Sequence, residues 1–199
     1  MAAICVFCAS SERIDARYVD LGAAVGAELA RRGHSLVSGG GSVSAMGSLA
    51  RAARAGGAHT TGVIPQVLLD LEVADHDADL LVVTADMRTR KGEMDGRADA
   101  FLVLPGGIGT LEELFEVWVS RTLRMHGRPV VALDPDGVFA PLREQVRVLV
   151  ELGFLRASSA AELHWASGVA EAFDTIEAGL TGGDDPGPAA VEEILEAEP

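Results

Sequence analysis

Short apolar runs without alternation, above all Leu80-Leu81-Val82-Val83 and Phe101-Leu102-Val103-Leu104, constrain this chain more than any other feature. A strand with one wet face alternates apolar and polar residues. A strand apolar at successive positions is buried on both faces, as in a parallel sheet covered by helices. Strands are predicted at residues 3–8, 35–38, 60–64, 79–84, 100–104, 129–133 and 163–166. Helices are predicted between them at 16–31, 45–55, 88–96, 111–125, 139–152 and 169–180, where apolar residues such as Leu21, Val25 and Leu29 recur at helical spacing. The fold class is α/β: a Rossmann-like, doubly wound, mostly parallel sheet of about seven strands flanked by helices. In such sheets ligands sit at the carboxyl ends of the strands.

Charge narrows the ligand. Thirty acidic residues against sixteen basic ones give −14, which disfavours a broad nucleic-acid surface. Six of the acids lie in the last nineteen residues, which carry no base, so the expected organisation is one domain over 1–180 and an acidic, flexible tail over 181–199. No apolar run is long enough for a membrane span, and the N-terminus reads as a first strand, so a cytoplasmic protein without membrane partners is expected. A bound phosphate must be held by local groups, because the overall field repels it.

Four strand-end segments are unusual. Cys8-Ala9-Ser10-Ser11 is small and hydroxyl-bearing. Gly39, Gly40, Gly41 and Ser42 form a loop that a ligand can approach closely. Arg90-Lys91 follows the fourth strand, and Pro105-Gly106-Gly107-Ile108-Gly109-Thr110 opens a helix whose amides form an anion site. Either glycine loop alone is as well explained by a tight turn. Two at one sheet edge favour a nucleotide monophosphate, because neither the Walker sequence nor G-x-G-x-x-G is present.

Thr110-Leu111-Glu112-Glu113 reads as a capping box, with Thr110 capping the helix and Glu113 bonding back. That role and a catalytic one both place the Glu113 carboxylate beside the glycine turn. Lys91 is the only lysine, and the basic groups Arg88, Arg90 and Lys91 at a helix start oppose the dipole, which points to an anion there. Cys5 and Cys8 fall on a strand three positions apart, so buried cysteines are preferred over a redox or metal pair. No metal cluster is expected, and the five histidines are scattered.

The segment P-G-G-x-G-T-x-x-E at Pro105 to Glu113 resembles the signature of the Lonely Guy (LOG) family of cytokinin riboside 5′-monophosphate phosphoribohydrolases, once labelled lysine decarboxylases. The likeness continues through Gly62-Val63-Ile64-Pro65, Arg90-Lys91, Asp99-Ala100-Phe101, His126-Gly127-Arg128-Pro129 and Gly153-Phe154. The resemblance implies a homodimeric hydrolase without a cofactor, cleaving the N-glycosidic bond of N6-substituted adenosine 5′-monophosphates to free base and ribose 5-phosphate. It implies Arg90 and Glu113 as the catalytic pair. Gly106, Gly107, Ile108, Gly109 and Thr110 would bind the nucleotide with Gly39, Gly40, Gly41 and Ser42, and Glu72 and Lys91 would be further contacts. The alternative is a nucleotide or molybdenum-cofactor carrier of the same fold without turnover. Ser44 stands where many members carry Gly, and Val119-Ser120 where a Thr-Trp pair is common.

Overall fold

The computed structural model describes residues 1–70 and 73–182. The predicted tail beyond 182 and Glu72 lie outside the described residues. Seven strands form one sheet: β1 (Ala3–Phe7), β2 (Ser35–Ser38), β3 (Thr60–Pro65), β4 (Leu80–Thr84), β5 (Ala100–Val103), β6 (Val130–Leu133) and β7 (Leu163–Ala166). Their order is β4-β3-β2-β1-β5-β6-β7, and every neighbouring pair is parallel. The order runs outward in both directions from β1 and β5. Loops leaving these two strands diverge to opposite faces and open a crevice at their carboxyl ends.

Helices α1 (Ala16–Arg31), α2 (Ser44–Ala55) and α8 (Val169–Thr181) cover one face. There Ile4, Val6, Leu36 and Leu102 meet Val25, Leu49 and Phe173. The other face carries α4 (Met87–Asp95), α5 (Ile108–Thr122) and α6 (Ala140–Glu151), with Phe7, Phe101 and Val103 against Met94, Leu114 and Trp118. The central apolar strands therefore feed two cores at once. The run Leu80–Thr84 departs from that expectation: β4 is the edge strand, and its Leu80 and Val83 side chains are exposed. Cys5 belongs to the second core and Cys8 to the first. Both are buried free thiols, and burial pushes Cys8 up to about 12, so neither is a reactive thiolate.

Two short helices, α3 (Gln66–Leu69) and α7 (Ala157–Ala161), complete the chain. At four and five residues they are too short to print a periodicity on the sequence. No helix among the described residues is long and apolar enough to cross a membrane.

Candidate active site

The crevice is a cleft of about 720 Å3 at the carboxyl ends of the central strands. Its polar wall is made by Gly39, Arg90, Gly106, Gly107, Thr110 and Glu113. Its apolar wall is made by Ile14, Tyr18, Met46, Leu68, Met87 and Val138. A cleft of this size with a few convergent polar groups is built for a small molecule.

The α5 end of the cleft corrects the capping-box expectation. The helix begins at Ile108, with Gly107 as an extended N-cap that offers no side chain. The first helical bond runs from the Leu111 amide to the Gly107 carbonyl, at 3.1 Å. Thr110 thus lies inside the first turn, and Glu113 is three residues deeper than a capping glutamate would be. The amides of Ile108, Gly109 and Thr110 have no helical carbonyl to bond, and the positive end of the dipole stands behind them. This is an anion site. A methyl group added at Gly107 or Gly109 would touch no protein atom, whereas one at Gly106 would fall 2.1 Å from the Thr110 hydroxyl. Gly106 is required by the turn; Gly107 and Gly109 leave open space where a ligand would approach. The Ile108 side chain points into solvent, so only its backbone serves the site.

The β2 loop supplies the facing wall. Gly40 has φ of +72°, the left-handed region that favours glycine, and its Cα lies close against β3. The loop is strapped by the segment after α3. Ser42 donates from its amide to the Val73 carbonyl (2.8 Å), and Asp75 donates from its amide to the Gly40 carbonyl (2.8 Å). Arg54 holds Asp75 through two bonds of 2.7 and 3.0 Å. The Ser42 hydroxyl is spent on the Val73 carbonyl, so Gly40 and Ser42 shape the loop while Gly39 and Gly41 line the cleft. Ser44 has φ of +56°, and its hydroxyl donates to the Ser11 carbonyl at 2.6 Å. That bond offsets part of the cost of a side chain in the left-handed region.

Arg90 joins the two walls. Its Nε donates to the Val63 carbonyl at 3.0 Å, and its Nη1 to Glu113 Oε1 at 3.2 Å. A Cβ at Gly39 would lie 1.9 Å from its Nη2, so the absence of a side chain at position 39 is what admits the guanidinium. Burial pushes the Glu113 carboxyl up to about 6, against the pull of Arg90 and with a further push from Glu112. Such a carboxylate is poised near neutrality.

Lys91 stands apart from the cleft. Its ammonium binds the carboxylates of Glu112 and Glu116, and these hold its pKa above the ordinary lysine value. The basic start of α4 is also balanced by Asp86, which caps the helix by accepting from the Thr89 amide at 2.8 Å. The anions expected beside Arg90 and Lys91 are therefore, in this structure, carboxylates of α5. Sequence reasoning missed the Val63 carbonyl and the apolar wall; neither carries a local sequence signal. Among the described residues no group of three or more His, Cys, Asp or Glu is placed to hold a metal ion.

A family described as "Possible lysine decarboxylase" matches residues 46–176. A Mycobacterium tuberculosis protein named cytokinin riboside 5′-monophosphate phosphoribohydrolase is 47% identical over 85% of this chain and 90% of its own length. An Arabidopsis thaliana protein bearing the same enzyme name is 42% identical over 78% of this chain and 73% of its own. Among solved structures, the Moco carrier protein of Chlamydomonas reinhardtii has a TM-score of 0.68 at 21% identity, over 92% of this chain and 99% of that one. At that identity the likeness shows the shared fold alone.

Proposed function

The chain belongs to the LOG family of cytokinin riboside 5′-monophosphate phosphoribohydrolases, the family also described as possible lysine decarboxylases, and from that membership we propose that it hydrolyses the N-glycosidic bond of adenosine 5′-monophosphates, N6-substituted ones included, releasing the base and ribose 5-phosphate. The observation that carries this reading is the placement of a buried carboxylate with a raised pKa, Glu113, one helical turn from the free amides of α5. The phosphate rests on the amides of Ile108, Gly109 and Thr110, with Gly39 and Gly41 opposite. The purine lies against the apolar wall, where Ile14, Leu68 and Met87 offer room for an apolar N6 group.

Glycosidic cleavage passes through an oxocarbenium-like transition state, which the Glu113 carboxylate stabilises while orienting water. Arg90, fixed by the Val63 carbonyl, holds that carboxylate in place and presents its remaining N–H groups to the substrate. Binding of the remote phosphate positions the ribose and supplies part of the catalysis. Lys91 reaches the nucleotide only by leaving Glu112 and Glu116, so we assign it to holding the acidic start of α5.

The decarboxylase description fits poorly. A Schiff-base lysine needs a depressed pKa, and the only lysine of this chain is ion-paired with its pKa raised. We further propose a homodimer. Leu114, Val117 and Trp118 of α5 are buried, but Phe115, Val119 and Leu123 form an exposed apolar stripe at four-residue spacing, suited to a second copy. A mass from size-exclusion chromatography with light scattering equal to one chain would refute that assembly. The hydrolase reading is tested by incubating the purified protein with AMP and with isopentenyladenosine monophosphate. Ribose 5-phosphate from at least one supports it, and bound nucleotide without product from either refutes it in favour of a carrier.

A further inference from the structure

Glu113 has a second side. Behind it, between α4 and α5, lies a chamber of about 270 Å3 whose lining includes Lys91, Asp95, Glu116, Ser120, His126 and Arg128. Of the residues around the cleft and the chamber, only Glu113 belongs to both, so its side chain is the partition between them.

The chamber is built for water. Two buried atoms of its lining, His126 Nδ1 and Arg128 Nε, have no protein partner among the described residues. His126 is 9% exposed, and its Nε2 donates to the Val117 carbonyl at 3.1 Å, which leaves Nδ1 as a bare acceptor. Burial first, and the Arg128 charge second, bring its pKa down to about 4, so the ring is neutral under ordinary conditions. Arg128 Nε is a donor. Both atoms are closed off from the chamber itself, and what suits the space to water is its lining, in which Lys91, Asp95, Glu116 and Ser120 offer donors and acceptors. Ser120, the small residue on the α5 side, leaves the space open.

We infer that this chamber is a hydrated rear entrance to Glu113, kept open by Ser120, through which the carboxylate exchanges protons with bulk water while the nucleotide fills the cleft. The inference rests on the hydrolase reading. In that reaction the water oxygen bonds to C1′ as the bond from C1′ to the purine nitrogen breaks and its electron pair leaves with the base. One water proton passes to Glu113, and the base takes up a proton from solvent. Glu113 must return its proton to solvent before the next turnover, at a time when the cleft holds products and the chamber does not.

The charges around Glu113 are Arg90 and Lys91 on α4 and Glu112 and Glu116 on α5. The thiol of Cys5 lies near it on β1 and that of Cys8 just beyond the end of β1, and Asp95, His126 and Arg128 line the chamber behind it. None of them is altered by a change at Ser120.

The test is Ser120→Trp, followed by kcat, KM and pH profile with AMP. A second readout, without nucleotide, is the pH titration of the 13C-labelled Glu113 carboxyl, identified by its loss in Glu113→Gln. The expected result is a KM within about twofold of the parent and a kcat lower by about tenfold. The Glu113 titration should move to higher pH, because removing water disfavours the charged form. Parent kcat with an unmoved titration overturns the inference, and so does a fall in kcat without a shift in titration. If the Trp variant loses its near-ultraviolet circular dichroism, Ser120→Leu makes the same comparison with a smaller filler. An inactive parent protein refutes the hydrolase reading instead, and the carboxyl titration still decides whether the chamber is wet.

Discussion

Arg90 Nη1 and Glu113 Oε1 meet at 3.2 Å between α4 and α5, with the two side chains only 8% and 11% exposed. Removing one partner of a buried pair leaves the other uncompensated, which costs more than the pair itself contributes. Arg90→Ala should therefore lower stability by about 3 kcal/mol, and it should raise the Glu113 pKa further. Glu113→Gln keeps an acceptor for the guanidinium and should cost clearly less. Denaturant melts of the two variants check the order; equal losses would show that the pair is not coupled as described.

Gly39 is tied to Arg90 by space. An alanine methyl there would lie 1.9 Å from Nη2, and the guanidinium is the movable party. Gly39→Ala should fold, yet lose turnover by at least about tenfold because Arg90 no longer holds Glu113 in place. Steady-state kinetics at parent-like stability would confirm this, and unchanged kcat would count against it.

Gly109 makes the opposite case. It lies inside α5, where alanine is better than glycine by up to about 1 kcal/mol, and an added methyl meets no protein atom. Gly109→Ala should melt at the parent temperature or above while KM for the nucleotide rises, because the methyl invades the phosphate position. A parent-like KM would move the phosphate off this turn.

The raised pKa of Glu113 sets a pH window. The ionised form is the active one, so kcat/KM should fall as pH drops through about 6, by about tenfold per unit below it. Stability has the opposite sign. A carboxyl held above its ordinary 4.5 is favoured protonated by the fold, so its contribution is complete below 4.5 and is lost as pH rises through 6. An acid limb near 4.5 would mean that Glu113 is better hydrated than its burial implies.

Much of this was legible in the chain. The run at Ala100–Val103 announced a buried parallel strand, whereas Leu80–Thr84 is an edge strand with Leu80 and Val83 exposed, because an apolar run does not tell whether a second strand lies beside it. The two glycine loops lie beyond the ends of β2 and β5, where the cleft opens. The start of α5 was misplaced because Thr110-Leu111-Glu112-Glu113 imitates a cap, while the true N-cap, Gly107, works by backbone alone. The pairing of Lys91 was not legible, because a cation at a helix start is ambiguous until its partners are known, and Glu112 and Glu116 come from another helix. The Val63 carbonyl that fixes Arg90 is a long-range backbone contact, invisible to motif or spacing. The split of α5 into a buried face at Leu114 and Trp118 and an exposed stripe at Phe115 and Val119 needed the sheet to be placed first.

The central claim is that Glu113 hydrolyses a nucleotide whose phosphate lies on the first turn of α5. The most direct measurement is ribose 5-phosphate release from AMP and isopentenyladenosine monophosphate by the parent protein and by Glu113→Gln, with dephosphorylated adenosine, followed by free base, as control. The account predicts product from a monophosphate with the parent, little from adenosine, and a loss of at least about a hundredfold in the Gln variant. No product from the parent, or full activity in Glu113→Gln, would contradict it.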